Sequence, residues 1–349
     1  MNISIYVAIL VVLIYLLSYC CFKDNKYKKD LFFLDISFLT LFIVLFLRKP
    51  YSDLVDFLNI FDYFNGDITL INTTRFDFLY KLLNIVVGKI WLNQRFFIFI
   101  VDLITLSGPY FIIRKYSKNY FLSILFFISI GTYHIQFYVI RQAMALSLLL
   151  FSIKYLEERK FFKYLMLVIC ASLFHTSAII FLPVYFLSYI KIDKKFVMFY
   201  TSIIILSLIF KDQLASLILN NSGYYSIYSG TRFDAGSEGQ WKFIQYLLIA
   251  AFSLFFTKNN NKKDKDFNFN NSMLWILLIN LYILLVSMGS IIIDRLSYYF
   301  CFPAFIYTIN VTENINSKKL RIVIKMLFVI LVFCYLYLVS PIHGYSLFF

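Results

Sequence analysis

The chain has 349 residues, of which 61% are hydrophobic, 21% aromatic and only 15% charged, and its formal net charge is +14. A soluble domain carries roughly 25% charged residues, so an ordinary water-soluble globular protein is excluded. The excess of Lys and Arg sits in short connections between apolar stretches rather than on one solvated face interleaved with aromatics, which excludes nucleic acid as the expected partner.

The first apolar stretch, 3–22, has no Lys or Arg ahead of it and no small-residue cleavage site behind it, so it reads as a retained first transmembrane helix rather than a signal peptide. A hydrocarbon layer about 30 Å thick is crossed by about 20 helical residues. Further stretches at 31–47, 96–113, 120–137, 139–156, 164–174, 177–190, 196–210, 240–256, 272–293, 296–312 and 323–340 bring the expectation to about 12 crossings. The expected fold class is therefore all-α: a polytopic integral membrane protein with broken or re-entrant segments, forming a single transmembrane domain over 1–349.

Six connections hold most of the positive charge: Lys23 to Lys29, Arg114 to Lys118, Arg159 to Lys163, Lys191 to Lys195, Lys258 to Lys265 and Lys318 to Arg321. They fall on alternate connections, as the positive-inside rule requires of the cytoplasmic side. Both termini are then expected outside. This alternation survives only if 164–190 turns back near His175, so it is expected to be a broken or re-entrant hairpin, its second arm distorted by Pro183. The turn between the spans 120–137 and 139–156 is placed between Gly131 and Val139.

Two outward segments are long. Segment 48–95 contains amphipathic stretches at 54–64 and 76–91, interrupted by Asp56, Asp62, Lys81 and Lys89. Segment 211–240 is richer in Gly, Ser, Asn and Tyr and reads as a loop over the outer face. No soluble domain or internal repeat is visible, and the one low-complexity run is 259–271.

Little conventional chemistry is available. No P-loop or GxGxxG motif occurs, and no HExxH or clustered ligand set accompanies the three His residues, so neither a cofactor nor a metal is expected. Cys20, Cys21, Cys170, Cys301 and Cys334 lack CxxC spacing and read as packing residues. What remains is charge at the outer ends of spans, where a hydrocarbon setting makes each ionisable residue a functional candidate. Arg48 is a snorkelling interface anchor, an ion-pair partner of Asp53 or a ligand, and Arg141 has no acidic neighbour in sequence. His175 lies at the hairpin tip. Arg295 either pairs with Asp294 or is free to bind. Several Arg converging beneath an outer loop would suit a doubly charged pyrophosphate, because guanidinium forks stay charged and offer paired hydrogen bonds.

At these residues the sequence resembles the EpsG and Wzy type of bacterial polysaccharide polymerase. The resemblance rests on Arg48, Lys49 and Pro50 followed by Asp53; on Ile140, Arg141 and Gln142 followed by Ala143 and Ala145; on the run from Ala171 through Phe174, His175, Thr176 and Ser177 to Ala178; and on Asp294, Arg295 and Tyr298. It implies a fold similar to GT-C-like membrane glycosyltransferases, in the bacterial cytoplasmic membrane, with an active site facing the periplasm or cell exterior. It further implies a metal-independent glycosyltransferase. Such an enzyme moves a growing glycan from undecaprenyl pyrophosphate onto the non-reducing end of an incoming lipid-linked unit, extending O-antigen, capsule or exopolysaccharide. The implied partners are the lipid-linked oligosaccharide as donor and acceptor, membrane lipid and a chain-length regulator protein.

In this reading Arg48, Arg141 and Arg295 contact the pyrophosphate. His175 is the base or acceptor-orienting group, with Asp53 and Asp56 as competitors, and Gln142, Ser177 and Tyr298 support the site. The alternatives are a flippase or transporter for the same lipid-linked oligosaccharide, and an O-antigen ligase.

Overall fold

The computed structural model describes residues 3–22, 25–221, 239–257 and 267–338. Its first helices are α1 (Ile3–Cys21), α2 (Lys26–Phe46), α3 (Asp53–Phe64), α4 (Phe78–Ile90), α5 (Gln94–Tyr116), α6 (Tyr120–Ser129) and α7 (Ile140–Glu157). There follow α8 (Phe161–Phe174), α9 (Pro183–Leu187), α10 (Lys194–Ile209), α11 (Lys211–Asn220), α12 (Gly239–Phe256), α13 (Phe267–Val286), α14 (Ile291–Glu313) and α15 (Lys318–Leu338). No strand forms among the described residues, and 3-10 turns occupy Ile68–Asn72, His134–Phe137, Thr176–Phe181 and Ser287–Gly289. Short polar connections start the helices: Asn25, Asn93, Asn119 and Asp193 each accept a backbone N–H from the first turn of α2, α5, α6 and α10.

Among the described residues four helices, α1, α5, α13 and α15, are by themselves long and apolar enough to cross a membrane, and α10 with α11, bent by 83°, makes a fifth if counted as one broken span. Helices α6, α8, the 176–187 arm and α12 are apolar but shorter. Helix α13 is the central element, its apolar window 83% buried, whereas that of α15 is 11% buried. The outer helices expose large side chains such as Leu16, Leu17, Met326 and Leu331. In water such faces would drive aggregation; against lipid tails they cost nothing, so this is an all-α membrane protein.

Five of the six basic connections meet at one end of the bundle. The Lys118 backbone N–H and its Nζ donate to Asn310 and Asn314, each at 2.8 Å, and Asn119 donates to Glu313 at 2.7 Å. Arg159 donates to Asn268 at 3.1 Å and to the Ser188 carbonyl at 2.9 Å, while Asn271 holds the carbonyls of Ser188 and Ile190. Tyr15, under the connection from α1 to α2, packs on Phe121 at the start of α6, with ring centroids 4.6 Å apart. The sixth connection, 258–265, lies outside the described residues, as do 222–238 of the second long outward segment and the His343 region.

Several boundaries differ from the sequence expectation, each for a local reason. The stretch 120–137 is not one helix: α6 stops at Ser129, Gly131 takes φ +85°, and 130–139 runs as a buried loop into α7. Segment 164–190 does fold back at His175, which is extended at φ −155°, and Tyr164 Oη donates to the Phe181 carbonyl across the hairpin. Pro183 does not distort this second arm; it occupies the first turn of α9, where its missing N–H costs nothing. Asp294 and Arg295 lie in the first turn of α14, after the capping Ser290, rather than in a turn between helices. Segment 211–240 begins with helix α11 rather than with loop.

Because a helix rises about 1.5 Å per residue, the 10-residue α6 and 14-residue α8 reach only about 15 Å and 21 Å from the basic end. Both therefore stop within the depth of a hydrocarbon layer about 30 Å thick. Above them sits the α3–α4 hairpin, with its own core of Phe57, Phe61, Tyr80, Phe97, Ile140 and Met144. The hairpin closes where Gly66 meets Gly88, since a Cβ on Gly88 would lie 2.9 Å from the Gly66 nitrogen.

Candidate active site

Helix α7 begins where the hairpin of α3 and α4, the break after α8 and the start of α14 come together. Its second residue is Arg141, a cation at a helix N-terminus, where the macrodipole is unfavourable. Two features offset this. Arg141 Nη1 lies 3.0 Å from Asp77 Oδ2, and the guanidinium sits 4.7 Å from the Phe76 ring centroid, with Phe57 and Tyr80 at 5.5 and 5.8 Å. Cation–π contact with three rings fixes the plane of the guanidinium.

Asp77 is the hub of this arrangement. Thr176 Oγ1 donates to Asp77 Oδ1, leaving Oδ2 facing both Arg141 and His175, whose Nδ1 is 3.9 Å away and makes no hydrogen bond. Burial works to raise the Asp77 carboxyl, but the polar groups of His175 and Thr176 and the charge of Arg141 outweigh it and hold the carboxyl below its ordinary value. The group stays ionised, so the site holds a fixed carboxylate between a cation and an imidazole.

Helix α14 supplies the other wall. Gln142 Nε2 donates to the Arg295 carbonyl at 2.6 Å, tying α14 to the start of α7. The Arg295 side chain is exposed and makes no ion pair among the described residues, and its charge reaches His175 and Tyr138. Asp294 is engaged by Lys242 of α12 rather than by its neighbour Arg295. Ser177 hydrogen-bonds the Tyr299 hydroxyl at 2.9 Å, which joins the hairpin tip to α14.

Arg141, His175, Gln142, Ser177 and Arg295 are thus brought together. Arg48 is not: it is 1% exposed, its Nη1 lies 2.8 and 2.9 Å from the two Asp102 oxygens, and the same nitrogen donates to the Leu45 carbonyl at 2.6 Å. Asp102, and not Asp53, is its partner, and a group sealed this way has no face for a substrate. Asp53 and Asp56 occupy the first turn of α3, where acidic side chains stabilise the helix N-terminus, and Asp56 is exposed. Tyr298 lies on the side of α14 that faces Ser129 and Ile130 at the end of α6. Asp77 and Lys242 leave little trace in the sequence, and Thr176 enters there only as part of the run around His175; an Asp between two Phe in an outward segment is all that marks Asp77. Among the described residues no three His, Cys, Asp or Glu side chains gather as metal ligands.

The described chain is thus an all-α membrane bundle with five basic connections at one end and a cation, a carboxylate and an imidazole gathered at the other. The EpsG family model matches residues 31–348, and the chain belongs to that family, an EpsG-type polysaccharide polymerase. No curated protein and no solved structure matches it.

Proposed function

We propose that the chain extends a bacterial surface polysaccharide at the outer side of the cytoplasmic membrane, transferring a growing glycan from polyprenyl pyrophosphate to the non-reducing end of a lipid-linked repeat unit. The observation that carries this reading is the junction of Arg141, Asp77, His175 and Thr176 at the end opposite the basic connections, beside the uncommitted Arg295. Both termini outside, with the 164–190 hairpin re-entrant from the basic end rather than spanning, is the topology that goes with it.

Arg141 spends one nitrogen on Asp77, and its Nε is buried without a hydrogen bond, a donor that a phosphate oxygen entering the site would satisfy. Arg295 offers the second cation. In the reaction, the acceptor hydroxyl oxygen bonds to the anomeric carbon of the donor while the bond from that carbon to the pyrophosphate oxygen breaks. Polyprenyl pyrophosphate departs with the electron pair, its charge met by the two guanidinium groups, and the hydroxyl proton passes to His175. The imidazolium so formed faces the Asp77 carboxylate, which stabilises it. The charges are all met by side chains, so the proposed transfer runs without a metal.

Purified full-length protein in proteoliposomes, given lipid-pyrophosphate-linked repeat units in the presence of a chelator, should form a polymer ladder and release polyprenyl pyrophosphate. Arg141→Ala and His175→Ala, folded and at normal level, should leave single repeat units. Movement of intact lipid-linked units across the membrane without chain growth overturns the reading in favour of transport, and attachment to a different acceptor favours a ligase.

A further inference from the structure

A cavity of about 420 Å³ lies between α6, α12, α14 and α15. Its walls are apolar, with Phe126, Ile249, Phe252, Phe305 and Phe328 among them, and Lys242 stands at one end. Along α12 the lining runs from Lys242 to Phe252, which at 1.5 Å per residue is about 15 Å, the depth of one leaflet of a hydrocarbon layer about 30 Å thick.

The cavity opens sideways. Leu248, Leu327 and Leu331 line it and yet are 66%, 51% and 60% exposed. Helices α12 and α15 both pack on α14, and the opening lies between them, on a flank that faces lipid. The end marked by Lys242 adjoins the candidate site: Lys242 pairs with Asp294, and the carbonyl of the next residue, Arg295, receives Gln142 beside Arg141. The result is an apolar slot one leaflet deep, open to the bilayer and closed by cations next to the reacting groups.

We infer that this slot receives the polyprenyl tail of the lipid-linked substrate, with Lys242 and Arg295 meeting the phosphates of its head; the inference rests on the polymerase reading for the identity of that substrate. Sugar is excluded by the apolar walls. Three cations spaced along the path from Lys242 through Arg295 to Arg141 match a pyrophosphate better than the single phosphodiester of a bilayer phospholipid, so the polyprenyl carrier is the favoured occupant.

The test uses the full chain in phosphatidylglycerol and phosphatidylethanolamine nanodiscs with a long-chain polyprenyl phosphate, free of sugar, that bears a diazirine on one of the isoprene units nearest the phosphate. Irradiation should place adducts on 245–252 of α12 and 324–335 of α15. Unlabelled polyprenyl phosphate should displace the probe, and excess phosphatidylglycerol should not. Adducts on the outer faces of α1 or α10 instead, or equal displacement by phosphatidylglycerol, overturn the inference.

Ile249→Trp, which fills the slot away from the reacting groups, should raise KM for the long-chain substrate about tenfold with kcat nearly unchanged. A short-chain analogue should be used as well as by the unsubstituted protein, and equal loss on both substrates is the contrary result. Cross-linking needs no sugar transfer, so adducts in the slot without polymer would leave the slot standing while the polymerase reading fell. Polymer without such adducts would remove the slot alone.

Discussion

Asp77 joins groups that the chain keeps far apart, and its carboxylate does two jobs: it neutralises Arg141 and it faces His175. A carboxyl held below its ordinary value contributes stability that is present above its unfolded pKa, near 3.8, and is lost as pH falls through the lower folded value. The difference in Tm between the unsubstituted protein and Asp77→Asn should therefore be flat from about pH 9 to pH 5 and close only below about pH 4. A gap that closes near pH 6 would show that this carboxyl is not ionised in the way the geometry requires. Arg141→Lys keeps the charge but loses the flat fork held over Phe76 and flanked by Phe57 and Tyr80. It should lower kcat/KM for polymerisation about a hundredfold while the protein stays folded. Arg48 and Asp102 are of another kind. Either single change to Ala strands a buried charge and should cost about 3–5 kcal/mol, read as a fall in Tm, whereas Arg48→Met with Asp102→Leu should recover both stability and polymer ladder.

At the scale of helices, the position of Arg141 depends on how α7 crosses α5. Gly108 donates its backbone N–H to Ser147 Oγ at 2.9 Å, and a Cβ on Gly108 would lie 2.4 Å from the Ser147 carbonyl oxygen. Small residues let helix backbones approach this closely in a bilayer, where van der Waals packing rather than hydrophobic burial holds helices together. Gly108→Ala must push α7 away, at about 1–3 kcal/mol for an overpacked contact. A thermal melt should show the loss, and the polymer ladder should shorten because Arg141, six residues before Ser147, moves with the helix. This element was readable as an apolar span, but its crossing point was not, since nothing in a stretch of sequence says which face of a helix meets a partner. The break at His175 was readable because the charge alternation demands a reversal there. The early stop of α6 was less so: apolar residues continue past Gly131, and only the positive φ of that glycine shows where the helix gives way.

Over the whole molecule, the legible part was what repeats along the chain: apolar lengths, and basic residues on alternate connections that the fold then gathers at one end. The illegible part was pairing across long separations. Asp77 meets Arg141 64 residues on and Thr176 99 residues on, and Lys242 meets Asp294 52 residues on. Local reading therefore offered Asp53 as the partner for Arg48 and Arg295 for Asp294, because adjacency was all it could weigh. The gathered basic end makes a prediction about orientation that is independent of any chemistry at the site. If the basic end faces the cytoplasm, a thiol on the α3–α4 hairpin lies outside the cell and one at the start of α10 lies inside. In a protein whose Cys20, Cys21, Cys170 and Cys334 are changed to Ser, Thr73→Cys should react with a membrane-impermeant maleimide on intact cells, and Lys194→Cys should react only after permeabilisation. Both positions are exposed, so accessibility to the reagent depends on the side of the membrane and not on burial. The opposite pattern would place the Asp77 junction in the cytoplasm and overturn the proposed transfer between lipid-linked units at the outer face.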